Sequence, residues 1–130
     1  MLKTINRLKK KKEFNYIYKK GMVAHSQSFI MHHVKAYKPY AQIGISVSKQ
    51  VGNSVVRSRV KRIISEACRL NIDSFQVKNY VITAKESIKD KTSKDIEFEL
   101  LRVLKKNNLF KDQGDSSTNA QNENNSKSSK

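Results

Sequence analysis

Cysteine, proline and acidic side chains are scarce in this sequence of 130 residues, and the shortages exclude several classes of protein. Cys68 is the only cysteine, so neither an intrachain disulfide framework nor a cysteine-based zinc site is possible. No apolar run is long enough for a membrane span, and no segment has the layout of a signal peptide. We therefore expect a cytoplasmic protein that has no membrane partner.

Acidic residues are outnumbered by basic ones, with 27 Lys and Arg against 11 Asp and Glu. Of these, 24 basic and 8 acidic residues lie in residues 1–110, so the whole net charge of +16 belongs to this part. A compact body with such a charge repels itself unless a polyanion neutralises it, and nucleic acid is the commonest such polyanion. The composition therefore favours nucleic-acid binding over charge that serves solubility alone.

The last part of the chain has almost no apolar residues. Residues 112–130 are mainly Ser, Asn, Gln and charged residues, with Ala120 the one side chain that counts as apolar. Such a segment buries too little surface to offset its chain entropy. We predict a single RNA-binding domain over residues 1–111, with a basic arm at residues 1–12, and a disordered polar tail at residues 112–130.

A catalytic constellation is also missing. His25, His32 and His33 are the only histidines. Within a strand, His32 and His33 point to opposite faces, so they cannot jointly bind a metal or act as a paired acid and base. Gly52-Asn53 lacks the spacing of a dinucleotide or phosphate loop. If the chain takes part in a reaction, we expect another molecule to supply the chemistry.

The most informative segment runs from Ser46 to Arg69, where a strand end leads through Gly52-Asn53 into a helix. Its apolar side chains share one stripe on a helical wheel: Val56, Val60, Ile63, Ala67 and Leu70, with Ile64 at the edge. Its basic and hydroxyl side chains fill the opposite arc: Arg57, Ser58, Lys61, Arg62, Ser65 and Arg69. Arginine forks match phosphate oxygens, so this arc predicts a phosphate-binding ridge on a helix that docks on a core.

Two helices and three strands can be placed around this segment. Phe14, Ile17 and Tyr18 lie at helical spacing and predict a short helix from Glu13 to Lys20. The alternation in residues 27–36 and 41–48 predicts two strands, which we expect to pair as an antiparallel hairpin. A buried strand at residues 80–84 follows the basic helix. A last helix, with Ser93 as its cap, has one core stripe: Ile96, Leu100, Val103 and Leu104.

The predicted order is α-β-β-α-β-α, with room for a further short strand before the basic helix. A strand, a helix and another strand in succession require a crossover connection. We interpret the chain as an α/β two-layer sandwich with helices on at least one face of the sheet.

Several motifs together resemble the protein subunit of bacterial ribonuclease P. They cover about residues 5–110 in the family's order: Arg7-Leu8-Lys9, Ser46-Val47-Ser48-Lys49, Val51-Gly52-Asn53-Ser54-Val55 and Arg57-Ser58-Arg59-Val60-Lys61-Arg62. The main departure is Ser58, which stands where the family has the Asn of its Arg-Asn-Arg core.

The resemblance implies α-β-β-β-α-β-α order, a small mixed sheet and a left-handed βαβ crossover. It implies a ribonucleoprotein endonuclease that removes the 5′ leader of precursor tRNA, with the chemistry on the RNA subunit and Mg²⁺ held mainly by RNA. The implied partners are the catalytic RNA and precursor tRNA, and no DNA. The residues alone leave open another basic RNA-binding protein, such as a ribosomal protein, or a nuclease that uses His32 or His33.

The charge pattern and the resemblance assign residues to two surfaces. The RNA-binding surface comprises Arg7, Lys9, Lys10, Lys49, Asn53, Arg57, Ser58, Arg59, Lys61, Arg62 and Arg69. The leader cleft, between the first helix and the sheet, comprises Phe14, Tyr18, Phe29, Met31 and His32, the last standing where an aromatic residue is common. No catalytic or metal-binding residue is expected on this chain.

Overall fold

The computed structural model describes residues 2–111, and the predicted tail at residues 112–130 lies outside them. The elements are α1 (Lys11–Lys20), β1 (Met22–His25), β2 (Phe29–Lys35), β3 (Gln42–Ser46), α2 (Ser54–Leu70), β4 (Lys78–Ala84) and α3 (Ser93–Lys106). Short 3-10 turns occupy Thr4–Asn6, Ile72–Ser74 and Glu86–Asp90. The order α-β-β-β-α-β-α is confirmed. Within residues 2–111, no helix has the length and apolar character that a membrane span requires.

The four strands form one mixed sheet in the order β1-β2-β4-β3. β2 is antiparallel to both β1 and β4, whereas β3 is parallel to β4. The predicted hairpin between residues 27–36 and 41–48 is therefore wrong, because β4 lies between β2 and β3. The hairpin lies one strand earlier, where Ser26 N donates to Phe29 O at 2.9 Å. The predicted βαβ crossover is confirmed as β3-α2-β4, and its hand stays a prediction.

Helices pack on both faces of the sheet. On one face, Phe29 and Tyr80 belong to the main core with Val60 of α2. The predicted core side chains of α3 are all buried there: Ile96, Leu100, Val103 and Leu104. On the other face, Ile17 of α1 packs with Val81 of β4. The sheet with α2 and α3 thus forms the two layers, and α1 partly covers the second face.

The buried stripe of α2 is rotated from the predicted one. Its buried side chains are Val60, Ile64, Ser65, Ala67 and Cys68. Leu70, predicted in the stripe, is 56% exposed. Ser65, predicted in the exposed arc, is covered by the N-terminal segment, and Leu2 N donates to Ser65 Oγ at 3.3 Å. Burial raises the pKa of the Cys68 thiol to about 12, so this thiol acts as a core side chain.

Side-chain caps fix where α2 and α3 begin. Asn53 Oδ1 accepts from Val56 N at 3.0 Å, so Asn53 is the N-cap of α2. The cap predicted at Ser93 is wrong, because α3 is capped one residue earlier by Thr92. Thr92 Oγ1 accepts from Asp95 N at 3.2 Å, and the Asp95 carboxylate accepts from Thr92 N at 3.0 Å. The hydrogen bond from Thr92 N to the carboxylate, followed by the interaction with the Thr92 side chain, holds the pKa of Asp95 below its usual range.

Candidate nucleic-acid interface

A groove of about 400 Å³ lies where the N-terminal segment, α1, β3 and α2 meet. Its apolar lining includes Phe14 and Ile43, and its basic lining includes Arg7 together with Lys61 and Arg62 of α2. Ser58, also in the lining, shares a helix face with Lys61 and Arg62 because they are three and four residues apart. The structure therefore brings Arg7, from the predicted arm, to the predicted ridge.

Backbone pairing holds Arg7 beside α2. Arg7 forms a parallel bridge with Ile43 of β3, and Leu8 N donates to Ile43 O at 3.1 Å. Asn6 Nδ2 donates to Ala41 O at 2.7 Å. Residues 2–8 of the predicted arm are thus docked on the fold, whereas Lys9 and Lys10 are exposed just before α1.

Arg59 lies on a different side of α2 from the groove and contacts the turn before α3. Its Nη1 donates to Lys89 O at 3.1 Å, and its Nη2 donates to Lys91 O at 3.2 Å. These bonds tie the turn at Glu86–Asp90 to the helix. Arg59 and Arg62 belong to one sequence motif, but the structure gives them different neighbours.

The remaining predicted RNA-binding residues have mixed environments. Arg69 forms an ion pair with Glu66 at 2.5 Å, which holds the pKa of the Glu66 carboxyl at about 2. Arg57 is half-buried, and its Nε has no hydrogen-bond partner within the described part of the chain. Asn53 is used as the helix cap, and Lys49 is exposed in the turn before α2.

A second surface lies between α1 and the sheet. The Tyr18 ring packs edge-on against His32 with centroids 5.1 Å apart, and the Tyr18 and Thr83 hydroxyls are hydrogen-bonded at 3.1 Å. Phe14 lies directly over Gly44, where a Cβ atom would overlap its ring. Burial, followed by the charge of His25, lowers the pKa of His32, which favours a neutral imidazole beside the aromatic rings.

Phe29 and Met31 do not line this cleft, contrary to the prediction. They are 1% and 0% exposed in the core beneath α2 and α3. In a strand, side chains alternate between faces, so His32 and Met31 cannot both face α1. Thr83 joins the cleft instead and was missed. Its alternation with Ile82 in the predicted strand was the signal that could have found it.

These features define an α/β protein with a basic groove and an aromatic cleft, a combination typical of RNA-binding proteins. The sequence profile of the family described as Ribonuclease P matches residues 2–108. The ribonuclease P protein component of Clostridium botulinum strain Langeland is 39% identical over 107 residues, covering 81% of this chain and 96% of the relative. The component of Alkaliphilus metalliredigens is 40% identical over 106 residues, with the same coverage.

Solved structures agree with this family. The RNase P protein of Staphylococcus aureus has a TM-score of 0.73 at 33% identity, covering 81% of this chain and 97% of that one. The Thermotoga maritima protein has a TM-score of 0.71 at 23% identity over 76% of this chain and 97% of that one, which supports the fold alone.

The chain belongs to the family of bacterial ribonuclease P proteins. It is the protein component of the ribonuclease P endoribonuclease, the ribonucleoprotein that matures the 5′ ends of tRNA, and the ribonuclease P RNA is its partner. This assignment takes the place of the two alternatives that the residues alone left open, a ribosomal protein and a nuclease that uses His32 or His33.

Proposed function

We propose that the groove between Arg7 and α2 binds the RNA subunit, and that the cleft between α1 and the sheet binds the 5′ leader of precursor tRNA. The observation that carries the first assignment is the meeting of Arg7 with Lys61 and Arg62 around one groove. These side chains come from segments far apart in the sequence. Guanidinium groups on two sides of a groove can engage successive phosphates of one RNA strand.

The cleft supports the second assignment. Tyr18, His32 and Phe14 offer ring faces and edges beside a polar hydroxyl at Thr83. Unpaired bases stack on such rings with little regard to sequence, whereas paired bases are not available for stacking. A leader is single-stranded, so its chemistry fits this surface.

In this proposal the RNA subunit carries the reaction and holds most of the Mg²⁺. Within residues 2–111, no group of three or more His, Cys, Asp or Glu side chains is placed to bind a metal ion. The protein would lower the repulsion between the phosphates of the two RNAs, which reduces the Mg²⁺ concentration needed for leader removal. We expect this to occur in the cytoplasm.

Reconstitution with the RNA subunit tests the groove. Arg62→Ala is expected to weaken RNA binding about tenfold, because a charge-assisted hydrogen bond contributes about 1.5 kcal/mol or more. It should also make the slope of log K against log salt shallower by roughly 0.7 to 0.9, the value for one phosphate contact. Both are measured by titrating labelled RNA at several salt concentrations.

Arg102→Ala is the matched control, since Arg102 is an exposed arginine on α3. It should leave affinity and slope nearly unchanged. Equal losses from both variants would reject the groove and leave only general charge attraction. Leader removal by protein free of RNA would reject the assignment of the chemistry to RNA.

A further inference from the structure

The outer face of α1 carries an exposed aromatic ring among basic side chains. Tyr16 is 58% exposed. Lys12, Asn15, Tyr16 and Lys19 follow the spacing i, i+3, i+4, i+7, so they share the helix face that points away from Ile17 and the sheet. With Tyr18, they line an open groove of about 580 Å³.

The basic charge beside this groove opposes helix formation. Lys10 is the N-cap of α1 and makes no side-chain cap, and Lys11 and Lys12 follow in the first turn. Cations near a helix N-terminus are unfavourable because the peptide dipoles are positive there. Glu13 is the acid of this turn, and its carboxylate accepts a hydrogen bond from the Tyr37 hydroxyl. Binding of an anionic partner would explain why lysines that disfavour the helix stand at its N-terminus.

Tyr18 connects this outer groove to the cleft. It is 38% exposed, and its ring packs against His32 inside the cleft. The same side chain lines the outer groove together with Asn15. A single strand that crosses the cleft at Tyr18 can therefore continue around Asn15 to Tyr16 along one continuous surface.

We propose that this outer face of α1 binds leader nucleotides farther from the cleavage site than those in the cleft. A base would stack on the Tyr16 ring while flanking phosphates contact Lys12 and Lys19. Charge complementarity and continuity with the cleft at Tyr18 favour the leader as the occupant. The inference rests on the proposed role of the cleft in leader binding.

Two precursor tRNAs distinguish binding in the cleft from binding on the outer face of α1. Their leaders have about 4 and about 12 nucleotides, both within the range of lengths that known single-strand sites bind. In the reconstituted holoenzyme, Tyr16→Ala should weaken binding of the long-leader precursor about fivefold or more and leave the short-leader precursor unchanged. Tyr16→Phe should retain binding, because it keeps the stacking ring. Phe98→Ala is the matched control, an exposed aromatic on α3, and should change neither affinity.

The lysines give an independent measurement. Lys12→Gln and Lys19→Gln should each make the salt slope shallower by about 0.7 with the long leader alone, the value for one single-strand phosphate contact. Lys94→Gln, on α3, should not change it.

Two results would overturn the inference: unchanged long-leader binding by Tyr16→Ala, or equal weakening with both leaders, which would place the contact on the RNA subunit or the tRNA body. Tyr18→Ala tests the cleft separately and should weaken binding of both precursors. If Tyr18→Ala weakens neither while Tyr16→Ala weakens the long one, the cleft assignment fails and the outer-face contact stands.

Discussion

Arg59 shows that neighbouring residues of one basic motif have different tasks. Both of its terminal nitrogens donate to main-chain carbonyls of the turn before α3, whereas Arg62 lines the groove. The sequence predicts that both are basic and near a helix surface. It does not predict which one finds a partner within the fold, because the turn comes some 30 residues later in the chain.

Replacing Arg59 should loosen that turn. Arg59→Ala is expected to speed amide exchange at Ile88 and Lys91, and to lower the free energy of unfolding by about 1 kcal/mol, the net value of such hydrogen bonds. Arg59→Lys should restore little of this, because one ammonium group lacks the planar fork that reaches two carbonyls. Hydrogen-exchange mass spectrometry and urea unfolding measure the two effects.

The control for this experiment is Arg62→Ala, which removes the same charge from the same helix but contacts no residue of the turn by hydrogen bond in the described structure. Exchange in the turn should then match the wild-type chain. If Arg59→Ala also leaves exchange unchanged, the two carbonyl bonds do not hold the turn.

The family resemblance, carried over by position, misled the prediction at Phe29 and Met31. It placed both side chains in the cleft. Their positions in an alternating strand put them on the same face as His33, away from His32, and burial confirms this. The alternation of side chains along the strand predicted their burial better than the resemblance did. Long-range contacts, such as the packing of the N-terminal segment over Ser65, could not be predicted from residue spacing.

At the scale of elements, strands were easier to predict than their partners. Alternation of apolar and polar side chains predicted β2 and β3. Nothing in a strand's own sequence indicates that β3 pairs with β4, because paired residues such as Gln42 of β3 and Asn79 of β4 lie 37 positions apart in the chain. β1 has four residues of which only Ala24 is buried, so it carries almost no alternating signal. The residues therefore predicted the order of every element except β1, which the family resemblance supplied, and they did not predict which strands pair.

The close approach of α1 to β3 depends on Gly44. A Cβ atom there would overlap Phe14 Cζ and lie 2.9 Å from both Cε atoms. Gly44→Ala should thus push the Phe14 ring out of its place and cost about 1 to 3 kcal/mol, the usual range for overpacking. It should also weaken binding of leader-containing precursor. Urea unfolding and precursor titration measure the two losses.

A double variant distinguishes this overlap from a general effect of alanine in the strand. With Phe14→Leu in the background, the ring is gone and Gly44→Ala should cost less, giving a coupling energy between the two positions. Strictly additive losses would show that the ring over Gly44 does not control how α1 docks.

At the scale of the whole molecule, stability should depend on a buried imidazole. Burial, with lesser contributions from Lys78 and His32, lowers the pKa of His33 from 6.5 to about 4. As the pH falls below 6.5, the unfolded chain takes up this proton while the folded chain does not. The stability that His33 contributes is therefore complete above pH 6.5 and is lost progressively toward pH 4.

Unfolding by urea at pH 7 and pH 5 measures this dependence. The wild-type chain should lose on the order of 1 kcal/mol more than the His33→Gln variant over this interval, because glutamine has no proton to gain. Parallel losses in the two chains would place the pH dependence in other groups. Each chain is compared with itself at the two pH values, so the result does not depend on how much stability the substitution removes at pH 7.

The charge and the order of elements predicted the kind of molecule, and the motifs at residues 46–62 identified its family. The two binding surfaces needed the structure, since each combines segments that the sequence keeps apart. Arg7 meets Arg62 through the docked N-terminal segment, and Tyr18 meets His32 and Thr83 through the packing of α1.

The position of β3 at the edge of the sheet gives the N-terminal segment a second consequence. An uncovered strand edge offers free N–H and C=O groups to another chain and promotes edge-to-edge aggregation. Here the backbone of Arg7 and Leu8 occupies that edge at Ile43. The segment that sets a cation beside α2 therefore also blocks the pairing of another chain with β3 at Ile43.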